Sequence, residues 1–349
     1  MTMTKPVGIE LAFPFPEPPA PGEAVEIDKG VLWLRLPLPM ALDHVNIYAL
    51  DDGEKGWTIL DTGADNPGTR QLWEQILAGP LGGRPVWRVI VSHFHPDHAG
   101  LATFFVKRGA QLWTTRATYL MVRMLCFDVN STHPDTTLRF WRESGMDQAT
   151  WERCTTERPF NMSALIEQFP PGFYRMKEGD RITAGGRDWI VRLGEGHAPE
   201  QASLWQEDGP LVLSADLILP SISPNVSAFP AEPLADPIRE LIDSCARLAE
   251  FARPDHLVLP GHKLPFTGLP LRLWQMAENH HDALDRLHGF LATPKVAVEC
   301  FSVLFRREVT AQVFGLALGE TIAHLNSLLL AGRVRREKRE DGAWLWQAI

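Results

Sequence analysis

The six residues His93-Phe94-His95-Pro96-Asp97-His98 place three imidazoles and a carboxylate side by side. Helical periodicity does not call for that pattern, and an apolar core does not tolerate it. Val86 to Val91, just before it, reads as a short buried strand rich in β-branched side chains. Pro96 and Gly100 mark a turn into a helix. The run therefore belongs on the loop leaving a strand end. Neutral imidazole with carboxylate suits Zn²⁺, Fe or Mn. A solvated His-rich turn is the bland reading, and four ligand-type side chains in six residues argue against it.

Other polar residues follow the same grammar. Asp61 ends Trp57 to Leu60, His197 follows Asp188 to Leu193, Asp216 ends Leu211 to Ala215, and His262 ends Leu257 to Gly261. Each comes after a short apolar run and sits beside Gly, Pro or another turn former. Taken singly, an Asp after a strand is more often a turn former or helix cap. In this order they describe a site built along one edge of stacked sheets.

These motifs resemble the metallo-β-lactamase superfamily in sequence order: Asp61, His93-x-His95-x-Asp97-His98, His197, Asp216 and His262. The resemblance covers about residues 25–275. It implies an α+β chain folded as an αββα sandwich. It also implies two divalent metal ions, zinc foremost, with Fe or Mn as alternatives. His93, His95 and His197 would bind one ion, Asp97, His98 and His262 the other, and Asp216 would bridge them. Asp61 would orient the ligand loop from behind.

None of Cys126, Cys154, Cys245 or Cys300 stands at a motif position, unlike one group of true β-lactamases. The bridging Asp216 resembles the glyoxalase II, lactonase and RNA-processing branches. His95, where flavodiiron proteins carry Glu, argues against that redox branch. Two ions sharing a water would lower its pKa and give a bridging hydroxide that attacks a carbonyl or phosphorus. Asp97 is the catalytic candidate for orienting that hydroxide and carrying its proton, with a purely ligating role as the alternative.

The chain of 349 residues exceeds one typical domain. A net charge of -9 argues against a protein that coats nucleic acid. Irregularly spaced cysteines do not suggest a disulfide framework. The Pro-rich lead-in, residues 1–24, lacks a signal-like apolar segment, and no stretch has the ~18 apolar residues of a membrane span. These features predict a soluble, cytoplasmic protein with no membrane partner.

The catalytic domain is expected over residues 25–278, with a helical insert at about 105–180. Helices are expected at Arg116–Cys126, Thr136–Ser144 and Asp147–Thr156, before a return to the sheet over Gly172–Gly186. Tyr119, Met121, Met124, Phe140 and Trp141 either form plain core or line an apolar pocket above the metals. Residues 279–349 form a separate unit. Pro265 to Pro270 breaks the chain, and helices are expected at His280–Leu291, Val296–Phe305 and Leu318–Ala331. A hairpin over Val334–Ile349 then turns at Asp341-Gly342. Three helices and a hairpin resemble the winged-helix-like unit of some superfamily hydrolases. The unit holds nine Lys/Arg against eight Asp/Glu. Its wing cluster, Arg333, Arg335, Arg336, Lys338 and Arg339, could contact phosphate, but the interleaved acids favour a charged hairpin edge. His280, His281, His288 and His324 read as packing or surface residues.

The expected function is metal-dependent hydrolysis of a small acyl substrate: a thioester, ester or lactone. A phosphodiesterase or endoribonuclease acting on nucleic acid is the second reading. A non-haem iron dioxygenase acting on a thiol or persulfide is the third. The C-terminal unit is expected to pack on the catalytic domain or on a second copy in a homo-oligomer.

Overall fold

A computed structural model describes residues 3–40, 42–305 and 308–349. Strands β1 (Ala24–Asp28), β2 (Val31–Pro37), β3 (His44–Asp51) and β4 (Trp57–Leu60) run antiparallel. Helix α1 (Pro67–Ala78) leads to β5 (Val86–Ile90). After α2 (Pro96–Ala99) and α3 (Ala102–Val106) come β6 (Gln111–Thr114), then α4 (Arg116–Phe127), α5 (Asp135–Glu143), α6 (Gln148–Thr156) and β7 (Tyr174–Arg175). The order across this first sheet is β1-β2-β3-β4-β5-β6-β7, parallel from β4 onward.

The second sheet has the order β12-β11-β10-β9-β8. It comprises β8 (Arg181–Ala184), β9 (Arg187–Gly194), β10 (Gln201–Gln206), β11 (Leu211–Ala215) and, after α7 (Pro237–Ala249), β12 (Leu257–Pro260). Period-two alternation builds the sandwich. Trp33, Tyr48 and Leu50 point between the sheets to meet Trp189, Leu204, Leu213 and Leu259. Leu34, Leu36, Val45 and Ile47 point outward onto Trp73 of α1 and Phe105 of α3. Helices cover both outer faces, so the αββα arrangement holds.

The helical excursion is narrower than residues 105–180. Strands β6 and β7 belong to the first sheet, and the helices lie between them. Gln111 to Thr114 is a four-residue strand buried at alternate positions, too short to stand out by composition. The three insert helices fall where expected. Thr115 and Asp147 cap α4 and α6 by accepting from the amides of Thr118 and Thr150.

The break expected over Pro265–Pro270 lies at the start of a helix that opens before His280. Helix α8 starts at Leu269 and runs unbroken to Phe290, across the expected 278/279 boundary. Pro270 sits in its first turn, where a missing N–H costs nothing. The helix expected at Val296–Phe305 is instead a 3₁₀ turn, Ala297–Cys300, followed by the single-turn α9, Phe301–Leu304. Side chains three apart eclipse in a 3₁₀ turn, and this one buries Ala297 and Cys300 together. Helix α10 (Phe314–Leu330) ends at Gly332, which takes a φ of 68°. The hairpin β13 (Val334–Lys338) and β14 (Trp344–Ala348) closes the chain.

Ile322, Leu325 and Trp346 share one core with Ile238 and Leu241 of α7 and Met276 of α8. The C-terminal unit thus packs on the outer face of the second sheet's helices. Among the described residues no helix is long and apolar enough to cross a membrane.

Candidate metal centre

Five strands end at one edge of the sandwich and deliver the polar residues. Strand β4 leads into Asp61, β5 into Ser92 and His93, β9 into His197, β11 into Asp216 and β12 into His262. The backbone is bent hard there. The positive-φ non-glycine residues among those described are Asp61 (64°), Glu200 (48°), Ala215 (45°) and Lys263 (71°). Each is a site residue or lies within three positions of one. Such conformations persist only where the surroundings enforce them. Gly261 completes the floor: a Cβ there would stand 2.2 Å from Asp216 Oδ1 and 2.9 Å from His98 Cε1.

The hydrogen bonds behind the imidazoles fix their tautomers. Ser92 Oγ donates to Asp61 Oδ2 at 2.8 Å, so His93 Nδ1–H donates to Ser92 Oγ at 2.9 Å. His98 Nδ1–H donates to Asp61 Oδ2 at 2.8 Å, while Asp61 Oδ1 accepts from the Ser92 amide at 2.8 Å. His197 Nδ1–H donates to the Asn225 carbonyl and His262 Nδ1–H to the His44 carbonyl, each at 2.7 Å. All four rings therefore turn Nε2 inward. His95 presents Nδ1 instead, 3.0 Å from Nε2 of both His93 and His197. Two of these three nitrogens have already placed their proton on the other side of the ring, so lone pairs converge.

The second group lies alongside. His98 Nε2 is 3.4 Å from Asp216 Oδ1 and 3.6 Å from Asp97 Oδ2. His262 Nε2 is 3.1 Å from Asp216 Oδ2 and 3.4 Å from Asp97 Oδ2. Asp216 Oδ2 also lies 3.6 Å from His197 Nε2, which puts this carboxylate between the two groups. His93/His95/His197, His93/His98/Asp216 and Asp97/His98/His262 each bring their ligand atoms within 4.8 Å of one another and could hold a metal. The fit is supported by two buried atoms inside the cluster without a hydrogen-bond partner, His98 Nε2 and Asp216 Oδ1.

The electrostatics agree with cation binding. Burial, reinforced by the neighbouring imidazoles, pushes His93 well below the usual range and His95 down to about 3, which leaves neutral ligand nitrogens. Burial also pushes His262 down, but Asp216 and Asp97 outweigh it and bring the ring up to about 9. His98 is raised in the same way, chiefly by Asp216. For Asp97, burial acts upward, yet His98 and His262 prevail and hold the carboxyl at about 2. Carboxylates that hold protons on facing rings would hold a divalent cation in exchange.

All seven predicted ligands converge, with Asp61 behind them. Ser92, His44, Asn225 and Gly261 were not singled out by sequence. Ser92 stood beside the motif and was readable as its neighbour. His44 and Asn225 act through main-chain carbonyls, which no side-chain pattern reveals. The insert residues divide: Tyr119 and Met121 pack outside the first sheet and Phe140 and Trp141 against the C-terminal core, while Met124 is exposed. The cysteines are all free and buried, and no ligand group contains one.

Residues 40–262 match the model of the metallo-beta-lactamase superfamily, and residues 284–349 match that of a metallo-beta-lactamase-like C-terminal domain. The chain is 37% identical to a beta-lactamase domain protein from Burkholderia ambifaria of known structure, with a TM-score of 0.89 over 97% of this chain and 98% of that one. A metallo-beta-lactamase family protein from Thermus thermophilus, 24% identical, shares the fold at a TM-score of 0.77 over 93% of this chain and 100% of its own. A Bacillus subtilis (strain 168) protein named "Probable metallo-hydrolase YqjP" is 25% identical over 86% of this chain and 92% of its own length. The chain belongs to the metallo-beta-lactamase superfamily and is a metal-dependent hydrolase.

Proposed function

We propose that the protein hydrolyses a small ester-like acyl substrate, a thioester, ester or lactone, at a centre of two divalent ions, most simply zinc. The observation that carries this reading is the pair of ligand groups meeting at Asp216. Bound there, two ions would acidify a shared water and polarise the substrate's oxygen. Cysteine takes no part, since every thiol is buried away from the ligand groups. Asp97 is the ligand carboxylate with the most solvent access, 21% exposed against 8% for Asp216. That position suits it to accept the attacking water's proton and pass it to the leaving group. The buried free thiols fit a reducing, cytoplasmic setting.

Phosphodiester cleavage is the second reading, resting on the basic wing. Those cations are already engaged: Arg333 with Asp285, Lys338 with Glu143, Arg339 with Asp341, and Arg336 over the rings of Trp344 and Trp346. The deciding experiment is metal analysis followed by thioester, lactone, phosphodiester and β-lactam panels on one preparation. Acyl turnover that is lost with the metal supports the proposal. Phosphodiester turnover without acyl turnover, with RNA binding that weakens steeply with salt and is lost in an Arg333/Arg335/Arg336→Ala variant, would replace it.

A further inference from the structure

The segment from Leu219 to Ala235 links the bridging candidate Asp216 to α7, and helices outside the sandwich strap it down. Arg272 of α8, itself buried, donates to the carbonyls of Leu219 and Ile222, at 2.5 and 2.8 Å. Asn326 of α10 donates to the carbonyls of Pro233 and Ala235 at 3.0 and 2.9 Å. Between these anchors the Ala228 amide donates to the Gly319 carbonyl of α10 at 3.1 Å. The close approach needs the glycine, because a Cβ on Gly319 would lie 2.9 Å from the Ser227 side chain.

At the middle of the strap is Asn225, whose carbonyl accepts the Nδ1–H of His197. Its side chain is gripped at both ends. Asn225 Nδ2 donates to Glu320 Oε2 of α10 at 2.9 Å, and Ser227 Oγ donates to Asn225 Oδ1 at 2.6 Å. Behind Glu320, its carbonyl accepts from His324 Nδ1 at 2.8 Å, and His324 Nε2 faces His280 of α8 at 3.3 Å. A continuous hydrogen-bonded path thus runs from α10 to one candidate metal ligand.

We infer that Glu320 is a positioning residue of the metal centre: through Asn225 it fixes the carbonyl that sets the tautomer and tilt of the His197 imidazole. The C-terminal unit would then be part of the metal site's support, beyond covering apolar surface. Outer partners of metal-binding histidines commonly govern affinity in this way. Burial pushes the Glu320 carboxyl up to about 7, against the lowering effect of the Asn225 amide. A glutamine keeps an acceptor oxygen for the Asn225 amide and removes the charge, so it separates the hydrogen bond from the carboxylate's electrostatics.

This inference rests on the metal reading above, and the test separates the two. Zinc is titrated into the metal-stripped full-length protein in competition with a chromophoric chelator, for wild type, Glu320→Ala, Glu320→Gln and Ser227→Ala. Thermal unfolding of each stripped protein is recorded alongside. Glu320→Ala should weaken one bound ion about 10–100-fold and spare the other, with little change in the unfolding of the stripped protein. Glu320→Gln should return close to wild type, and Ser227→Ala should shift affinity in the same direction by less. Wild-type affinity in Glu320→Ala, or weakening of both ions in step with lost stability, overturns the inference. Should Glu320→Ala fail to fold, unchanged affinity in Ser227→Ala does so. A wild type that binds no zinc overturns the metal reading itself, and this inference with it.

Discussion

The strand-end loops and the α4–α6 excursion handle unusual side chains in opposite ways. His93 and His98 are completely buried, each ring held by an oxygen behind it. On α4, Leu120, Met124 and Phe127 are apolar yet 56%, 53% and 64% exposed. Over-determined geometry marks the region where atoms must meet to within fractions of an ångström. Apolar exposure marks a surface whose occupant is not fixed by the fold. Substitutions should therefore be severe and metal-linked in the first region, but mild and substrate-linked in the second.

The largest effect is expected at Gly261. Gly261→Ala drives a methyl against Asp216 and His98, so metal content and turnover should both collapse while overpacking costs about 1–3 kcal/mol. Normal metal content by elemental analysis would show that the floor yields. Asp61→Ala removes the partner shared by Ser92 and His98, and metal affinity or activity should fall about 10–100-fold. Chelator competition checks this, and an unchanged affinity would break the contrast from the rigid side.

The next effects lie in the excursion and on α10. Trp141 packs against the C-terminal core, so Trp141→Ala should cost about 2 kcal/mol in denaturant unfolding, with metal affinity kept. Glu320 gives a pH signature. Its folded-state carboxyl, pushed up to about 7 by burial, keeps a proton that the unfolded chain releases around 4.5. That part of the stability is present at low pH and is lost as pH rises from about 4.5 through 7. Glu320→Gln lacks the loss, so its melting point should exceed that of wild type by about 2–4 °C at pH 8 and match it near pH 5. The smallest effect on stability belongs to Met124→Ala, within about 0.5 kcal/mol. Its signature should be a changed ranking among acyl substrates, and uniform rates across the panel would remove α4 from substrate selection.

The same contrast explains how much was legible in the sequence. A metal ligand must come from a few side-chain types, in the candidate groups here His and Asp, and a tight turn after a strand must admit it. Type and position therefore announce each other at His93–His98, His197, Asp216 and His262. The helices expected from Arg116 and from Asp147 begin where Thr115 and Asp147 cap them, because capping needs a particular side chain. Pro270 was misleading because the same residue ends one element or opens the next, and only tertiary packing decides. Strand β6 was lost for want of length. The Asn225 and His44 carbonyls were invisible, since any residue supplies a carbonyl and only the fold aims it.

The central claim is that two ligand groups share Asp216, and metal counting tests it most directly. Purified wild type and Asp216→Ala are loaded with zinc, freed of excess, and analysed for metal per chain. The account predicts about two ions in the wild type and a joint loss from both groups in the variant. One ion per fully loaded wild-type chain, or loss of a single ion in Asp216→Ala, would contradict it.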